Sequence, residues 1–330
     1  MNQTESKHAL FVSLVCGLFI AVLILVSVYS STKTDVTSAT LSATAAVSLV
    51  EPDISAEAYV VRLVGSDTPL IGRRVDKPTA PASLTKVMTA VVASEKLSAT
   101  DTGVMSLFAK NVEERKSSAK EGDEFLRDEL IRMALVMSAN DAVLALAERV
   151  AAEVAVPMPT LPVLRHQSPG RDMNRAAEPQ TISAAGHGSG TALFVRMMNA
   201  KARILGMDHT HFENPTGLDM PRHFTTANDL ARLAEYVLVR HPSLWAMSRA
   251  WEAQAETVQG KTYPLTNSND LLKEFPALIG GKTGMTDNAK EALMLLYPVE
   301  PDQTAIVVIL RSDDRFGDGR KILNWLEENF

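Results

Sequence analysis

The residues best suited to chemistry lie in three short strings, in the order Ser83-Leu84-Thr85-Lys86, Ser138-Ala139-Asn140 and Lys282-Thr283-Gly284. A serine and a lysine three positions apart on a helix project to the same side, so a neutral amine could take the hydroxyl proton. About one Ser-x-x-Lys is expected by chance in a chain of this size, so no string is informative alone. As an ordered set, they predict a serine acyl-transfer enzyme with a lysine as its base.

Lys86 can serve as that base only if its pKa lies far below the ordinary lysine value. A second ammonium about 5 Å away would disfavour the charged form by about 3 kcal/mol at an effective dielectric of 20, roughly two pKa units. Lys282 is the candidate for this second charge. Backbone N–H groups at the helix start would also favour the negative charge that develops beside Ser83.

The second string is expected in an extended joint between two helices, where residues two apart face the same way. The Ser138 hydroxyl could then relay a proton between a lysine and a leaving amine. The Asn140 side-chain amide could hold a substrate carbonyl.

The third string lies among three glycines, which would let a strand edge approach a ligand backbone closely. Lys282 and Thr283 would bind a terminal carboxylate there. A backbone N–H near Met285, just after Gly284, would complete an oxyanion hole with that of Ser83. These residue types predict a substrate peptide that ends in a carboxylate.

The elements that must position these residues follow from hydrophobic spacing and turn signals. Helical spacing predicts a helix with Ser83 in its first turn, a second ending at Ser138 and a third starting just after Asn140. Further segments are expected as strands at 58–63, 70–73, 291–297 and 305–310, and as helices at 191–205, 226–239 and 320–328. This order predicts an α/β (α+β) fold, with one antiparallel sheet built from both chain ends, helices on its faces and an inserted helical region.

The domain organisation is expected to comprise a membrane segment and one folded body. Residues 1–8 would form a short cytoplasmic tail, and the 21 uncharged residues of 9–29 a transmembrane helix or, alternatively, a cleaved signal segment. The Ser-, Thr- and Ala-rich residues 30–52 would be a flexible tether. The catalytic domain would then span 53–330, with a proline-rich inserted loop at 157–190.

Composition excludes several classes of protein. With 46% hydrophobic and 22% charged residues and a net charge of -6, the 330-residue chain has an ordinary globular composition without a basic stripe for nucleic acid. Its single cysteine, Cys16, allows neither an internal disulfide nor a cysteine metal site. No cofactor is predicted.

The chain resembles the low-molecular-mass penicillin-binding proteins of the D-alanyl-D-alanine carboxypeptidase family. The resemblance covers about 53–330 and is carried by residues 81–89, 138–142, 212–218 and 282–286. It departs from the family in its longer 157–190 loop, in Ala139 where many members have glycine, and in ending after the final helix, without the small β-domain of some members.

This resemblance implies a β-lactamase/penicillin-binding-protein-like fold, with Ser83 as the nucleophile and Lys86 as the general base. It implies Ser138 and Asn140 as the second motif, and Lys282 with Thr283 as carboxylate binders. By analogy with a late family arginine, Arg311 or Arg315 would assist in binding the substrate carboxylate. The implied substrates are peptidoglycan stem peptides ending in D-Ala-D-Ala, with β-lactams as covalent inhibitors, outside the bacterial cytoplasmic membrane that a single span would anchor; a cleaved segment would leave the protein secreted.

Other functions remain open at this point. A DD-endopeptidase that cuts cross-links would share the same strings, and a β-lactam sensor with little turnover would use the same acylation. A class A β-lactamase is disfavoured because the chain lacks a Glu-x-x-Leu-Asn string for deacylation. A metallopeptidase built on His209 and His211 lacks a third ligand at a telling spacing. His223 is expected at the surface or next to a helix cap.

Overall fold

The computed structural model of the protein describes residues 50–154 and 186–330, with side chains for 50–154 and 190–330. The residues after Val50 form one compact unit, Glu51–Phe330. The expected tail at 1–8, the expected membrane segment at 9–29, most of the tether and residues 157–185 of the expected loop lie outside the described residues. Within the described ranges, no helix combines the length and apolar character needed to cross a bilayer.

The elements follow the predicted order. The strands of the main sheet come from both ends of the described chain, most of the helices lie between them, and a helix comes last. The strands are β1 (Ala58–Leu63), β2 (Ile71–Arg73), β3 (Thr102–Val104), β4 (Glu124–Leu126), β5 (Glu252–Glu256), β6 (Thr262–Thr266), β7 (Gly280–Thr286), β8 (Lys290–Glu300) and β9 (Gln303–Ser312). The helices are α1 (Thr85–Lys96), α2 (Leu107–Lys110), α3 (Arg127–Val136), α4 (Asn140–Val154), α5 (Gly186–Ile204), α6 (Ala227–Arg240), α7 (Pro242–Ser248), α8 (Leu271–Glu274) and α9 (Arg315–Asn329).

The main sheet has five strands in the order β2-β1-β9-β8-β7, and every neighbouring pair is antiparallel. The predicted sheet from both chain ends is therefore confirmed. Strand β7 lies at one edge, so its outer backbone groups have no neighbouring strand in this sheet. The short hairpins β3–β4 and β5–β6 were not predicted, because pairs of three to five residues leave little periodicity in a sequence.

Both faces of the sheet are covered by helices, as predicted. Directly opposite residues share a face, and Val60, Val308 and Met294 form one such row, packed in the same core cluster as the helical region. Lys282 lies opposite Met294, so the strand register directs it to that face. On the other face, Leu293 and its neighbours pack against α9.

Three predicted helix boundaries differ from the structure. Ser83 lies in a 3-10 turn, Ala82–Leu84, that precedes α1 rather than in the α-helix itself. The last helix begins at Arg315 instead of residue 320, because Asp314 caps it by accepting a hydrogen bond from the Gly317 N–H at 2.9 Å. The glycines in this first turn had weakened the helical pattern. Residues 186–190, expected in the loop, belong to α5.

The turn at Ser83 rests on the loop of residues 213–218. The Asn214 side chain shapes this loop by accepting hydrogen bonds from the backbone N–H groups of Thr216, at 3.1 Å, and Gly217, at 2.7 Å. Gly217 has a φ of +91°, and a Cβ there would overlap the Ala82 carbonyl. The loop can lie directly beneath the Ser83 turn because this position is glycine.

Gly217→Ala is expected to lower the free energy of unfolding by about 3 kcal/mol or more, because a positive φ and a backbone overlap add together. Gly122→Ala is the matched control: its φ is +83°, but nothing lies within 4 Å of the added Cβ. The control should cost about 1 kcal/mol, or about 3 °C in Tm against about 8 °C for Gly217→Ala, measured by circular dichroism. Equal losses in the two variants would show that the overlap with Ala82 is unimportant.

Candidate active site

The Ser83 turn is held in place by close packing against strand β7. A Cβ on Gly284 would approach the Ser83 nitrogen at 3.1 Å and the Pro81 carbonyl oxygen at 3.3 Å. Ala82 has a φ of +47°, a left-handed conformation that is strained for a residue with a side chain. The strand and the turn therefore meet at a spacing that only a glycine strand edge permits.

Lys86 lies beneath Ser83 and is fully buried. Its Nζ lies 2.7 Å from the Ser83 Oγ and donates to the Thr216 carbonyl oxygen at 2.6 Å. An amine that has lost one proton can still donate to this carbonyl while its lone pair accepts the Ser83 hydroxyl proton. The predicted pairing of Ser83 with Lys86 is present in the geometry.

Burial lowers the pKa of Lys86 to about 7, with a further lowering from the nearby positive charge of Arg115 and an opposing effect of Glu114. The sequence prediction assigned this shift to a second ammonium on Lys282. In the structure, removal from water is the main cause, and Arg115 is a further neighbouring charge. Lys282 is itself buried, and burial together with the charge of Lys86 lowers the pKa of Lys282 well below the ordinary lysine value.

Lys282 is joined to the second string. Its Nζ donates to the Ser138 Oγ at 3.0 Å and to the Thr283 carbonyl oxygen at 2.8 Å. The joint around Ser138 is not extended, as had been expected: Ser138 has a φ of +65°, and Asn140 is the first residue of α4. This left-handed turn, rather than strand-like alternation, brings both side chains to the same cleft.

These groups line one cleft of about 340 Å³. The predicted residues that line it are Ser83, Ser138, Asn140, Thr283, Gly284 and Met285. The buried amines of Lys86 and Lys282 contact the two serine hydroxyls of this lining. The Thr283 hydroxyl lies 2.6 Å from the Ser268 hydroxyl, a partner that the sequence patterns did not indicate.

Of the two late arginines, the structure places Arg315 in the cleft and Arg311 outside it. Arg315 opens α9, and its Nη1 lies 2.8 Å from a carboxylate oxygen of Glu291. Arg311 lines a different groove of about 370 Å³, where its Nε donates to the Glu57 carboxylate at 2.6 Å. The structure therefore does not bring Arg311 together with the other predicted site residues.

Two further contacts were missed at the sequence level. The Thr216 carbonyl is a backbone group, so no residue type could reveal its role beside Lys86. His223, expected at the surface, is buried: its Nδ1 accepts from the Glu213 N–H at 3.2 Å, and its Nε2 lies 2.9 Å from the Thr85 hydroxyl. Burial lowers the pKa of His223 to about 4, so the ring is neutral at pH 7.

The His-x-His segment lies apart from these residues. The His211 Nδ1 lies 2.7 Å from the Arg222 carbonyl oxygen. Within the part of the chain that the structure describes, no three His, Cys, Asp or Glu residues are arranged to hold a metal ion.

Known proteins with a similar sequence include cell-wall peptidases. The D-alanyl-D-alanine carboxypeptidase DacF of Bacillus subtilis is 27% identical over 73% of this chain, which spans 54% of DacF. The D-alanyl-D-alanine endopeptidase of Escherichia coli is 25% identical over 86% of this chain and 81% of its own length. The chain thus spans little more than half of the first relative and most of the second.

Solved structures share the fold. A D-alanyl-D-alanine carboxypeptidase from Mycobacterium tuberculosis superimposes with a TM-score of 0.67 and 24% identity, covering 85% of this chain and 94% of that one. The Streptomyces K15 DD-transpeptidase gives a TM-score of 0.65 and 22% identity, covering 84% and 98%. The expected penicillin-binding-protein-like fold is confirmed. The family model described as D-alanyl-D-alanine carboxypeptidase matches residues 44–155 and 172–313, well over half of the chain, which therefore belongs to this family of serine peptidases.

Proposed function

We propose that the protein is a serine-type D-alanyl-D-alanine carboxypeptidase that removes the terminal D-Ala from peptidoglycan stem peptides. The observation that carries this proposal is the buried Lys86 amine, held within hydrogen-bond distance of the Ser83 hydroxyl at the floor of a cleft. Family membership supports the reaction type. β-Lactams, which acylate this family, are the expected covalent inhibitors.

The first half of the reaction forms an ester on Ser83. Neutral Lys86 takes the hydroxyl proton, and the Ser83 Oγ attacks the carbonyl carbon of the penultimate D-Ala. The peptide bond to the terminal D-Ala then breaks, and its nitrogen leaves as an amine after receiving one proton. The Ser138 hydroxyl accepts a hydrogen bond from Lys282. It is placed to pass that proton from the lysines to the leaving nitrogen.

The second half of the reaction hydrolyses the ester on Ser83 and regenerates the free enzyme. Water loses a proton to Lys86, and the resulting hydroxide attacks the ester carbonyl. The shortened peptide leaves with a new carboxylate, and the proton returns to the Ser83 Oγ. The same base serves both halves because its pKa lies close to neutrality.

The substrate carboxylate is assigned to the side of the cleft formed by Lys282, Thr283 and Arg315. An anion placed there would favour the charged form of Lys282 and raise its pKa towards the ordinary value. Arg315, rather than Arg311, is the late arginine proposed to assist, because it lines this cleft. The outer edge of β7 is available to align the extended peptide.

A DD-endopeptidase that cuts peptidoglycan cross-links is the second candidate. The E. coli endopeptidase is about as similar to this chain, at 25% identity, as the carboxypeptidase DacF, at 27%, so similarity alone does not separate the two reactions. Both reactions break a bond after the penultimate position through the same acyl-enzyme, so the residues of the site serve either one.

The location is proposed from the sequence. Residues 9–29 are long and uncharged enough to anchor the protein in the bacterial cytoplasmic membrane, with the catalytic domain outside, where peptidoglycan lies.

Ser83→Ala is expected to abolish both fluorescent-penicillin labelling and D-Ala release, because Ser83 carries the hydroxyl that lies beside the proposed base, Lys86. Ser66→Ala, outside the cleft, should behave as the wild type. The measurement is mass spectrometry of pentapeptide and cross-linked muropeptides after incubation with the full chain in detergent. Loss of D-Ala from the pentapeptide supports the carboxypeptidase, and conversion of dimers to monomers supports the endopeptidase. Full penicillin labelling of the Ser83→Ala variant would rule out the proposed mechanism.

Acylation by a penicillin is expected to rise with pH and to level off above about 7. Only neutral Lys86 can accept the Ser83 proton, and a group with a pKa of about 7 is about one-tenth neutral at pH 6. The acylation rate constant should therefore fall about tenfold per pH unit below 7, measured between pH 5 and 9 with circular dichroism as the control for folding. A rate independent of pH over this range would contradict the role of Lys86 as the base.

The full chain is expected in the membrane fraction after a high-salt wash and to be released only by detergent. A variant with Ile20→Arg and Leu23→Arg should move to the soluble fraction, because two central charges strongly oppose insertion. Leu23→Val with Ile20→Val is the matched control and should remain in the membrane. A soluble wild-type protein whose mass lacks the first residues would show instead that the segment is cleaved.

A further inference from the structure

The cleft has a wall that the proposed mechanism leaves unused. Besides the motif residues, it is lined by Glu114 and Arg115, from the segment that connects α2 to β4. We call residues 111–117 of this segment the rim loop. It stands on the side of Ser138 and Asn140, and none of the three sequence strings includes it.

The rim loop is anchored by the residues that follow Ser138. The Asn140 backbone N–H donates to the Arg115 carbonyl oxygen at 2.8 Å, and the Asn140 Nδ2 donates to the Glu113 carbonyl oxygen at 3.0 Å. The fully buried Asp141 carboxylate accepts from the Ser117 N–H at 3.0 Å and from the Lys110 Nζ at 2.6 Å. These contacts fix both ends of the rim loop relative to the second motif.

The backbone between these anchors is strained. Glu114 has a φ of +56°, a left-handed conformation that residues with side chains rarely adopt. Such strain persists only where the surrounding contacts hold it. Its effect here is to place the side chain after it, Arg115, on the cleft wall.

The Arg115 guanidinium is an unpaired cation in the part of the chain that the structure describes: no carboxylate of residues 50–154 or 190–330 lies within ion-pair distance. Arg315, on the β7 side of the cleft, has Glu291 as its partner. Burial is the main cause of the lowered pKa of Lys86, of Lys282 and of Arg315, and the charge of Arg115 lowers each of these pKa values further, so it lies within electrostatic reach of all three. Four basic side chains thus lie at a small cleft, and of the two arginines Arg115 is the one without a carboxylate partner among the described residues.

We propose that Arg115 binds a second carboxylate of the substrate, one carried by the acyl part that stays on Ser83 after the terminal residue leaves. This inference rests on the proposed function. The terminal carboxylate is assigned to Lys282 and Thr283 of β7 and to Arg315 of α9, whereas Arg115 belongs to the rim loop, whose backbone is hydrogen-bonded to Asn140. Guanidinium binds carboxylate through two parallel hydrogen bonds, which selects for an anion of this shape. The substrate class is therefore a stem peptide whose residue before D-Ala-D-Ala carries a free carboxylate.

The test compares two penicillins that differ only in a carboxylate on the acyl side chain. Acylation of Ser83 in the full chain is measured at pH 9, where Lys86 is neutral in every variant, so that the electrostatic effect of Arg115 on Lys86 is removed. The wild type is expected to react about tenfold faster with the carboxylated compound. Arg115→Ala should lose this preference, and Arg115→Lys should retain part of it.

Lys116→Ala is the matched control. Lys116 is the next residue and also cationic, but it lies outside the cleft, with its Nζ donating to the Lys110 carbonyl oxygen at 3.1 Å. This variant should keep the wild-type preference. The same ranking is expected for kcat/KM on a pair of peptides with and without a carboxylate before D-Ala-D-Ala.

The outcomes separate the two proposals. If the wild type and Arg115→Ala react with both compounds in the same ratio, Arg115 does not bind the second carboxylate, and the carboxypeptidase proposal stands. If Arg115→Ala slows acylation by both compounds equally at lower pH and this slowing disappears at pH 9, the role of Arg115 is confined to the pKa of Lys86. The binding proposal is then overturned. If neither penicillin acylates Ser83 in the wild type, the proposed function fails and this inference fails with it.

Discussion

The site depends on a lysine amine sealed away from water between a serine hydroxyl and a backbone carbonyl. Burial removes the hydration that normally stabilises the ammonium, so Lys86 can be neutral near pH 7 and accept a proton from Ser83. The Thr216 carbonyl orients the amine, and the loop that carries it is fastened by the Asn214 side chain and by the Thr89 hydroxyl, which donates to the Pro215 carbonyl. A rearrangement that admitted water beneath Ser83 would restore the lysine charge and remove the base.

Positive charge is concentrated around the cleft. Burial and the nearby charges lower the pKa of Lys282 well below its ordinary value, whereas Arg315 has a carboxylate partner and Arg115 lines the cleft. Repulsion among such groups destabilises the empty site, and an anionic ligand relieves it. The electrostatics therefore favour anionic ligands, and they link the binding of an anion to the protonation of the two buried lysines.

Much of the fold could be predicted because it repeats simple periods. Apolar runs in β8 and β9 and the helical spacing of α1 indicate the correct elements, and their order along the chain predicts a sheet made from both ends. Elements of three to five residues, such as β3 and β4, carry too little periodicity to be found. The start of the last helix was predicted a few residues too late. Its first turn, capped by Asp314, contains glycines, which weaken the helical pattern in the sequence.

The sequence by itself determined the reactive residue types, their order and the pairing of Ser83 with Lys86, because that pairing depends on helical spacing over three positions. Only the tertiary structure decided what makes Lys86 a base, which late arginine reaches the cleft and that Arg115 stands on its rim. These features depend on burial and on contacts between segments far apart in the chain, such as Lys282 with Ser138. Local spacing cannot encode them, since the distance between such segments is set only when the whole sheet and its helices pack together.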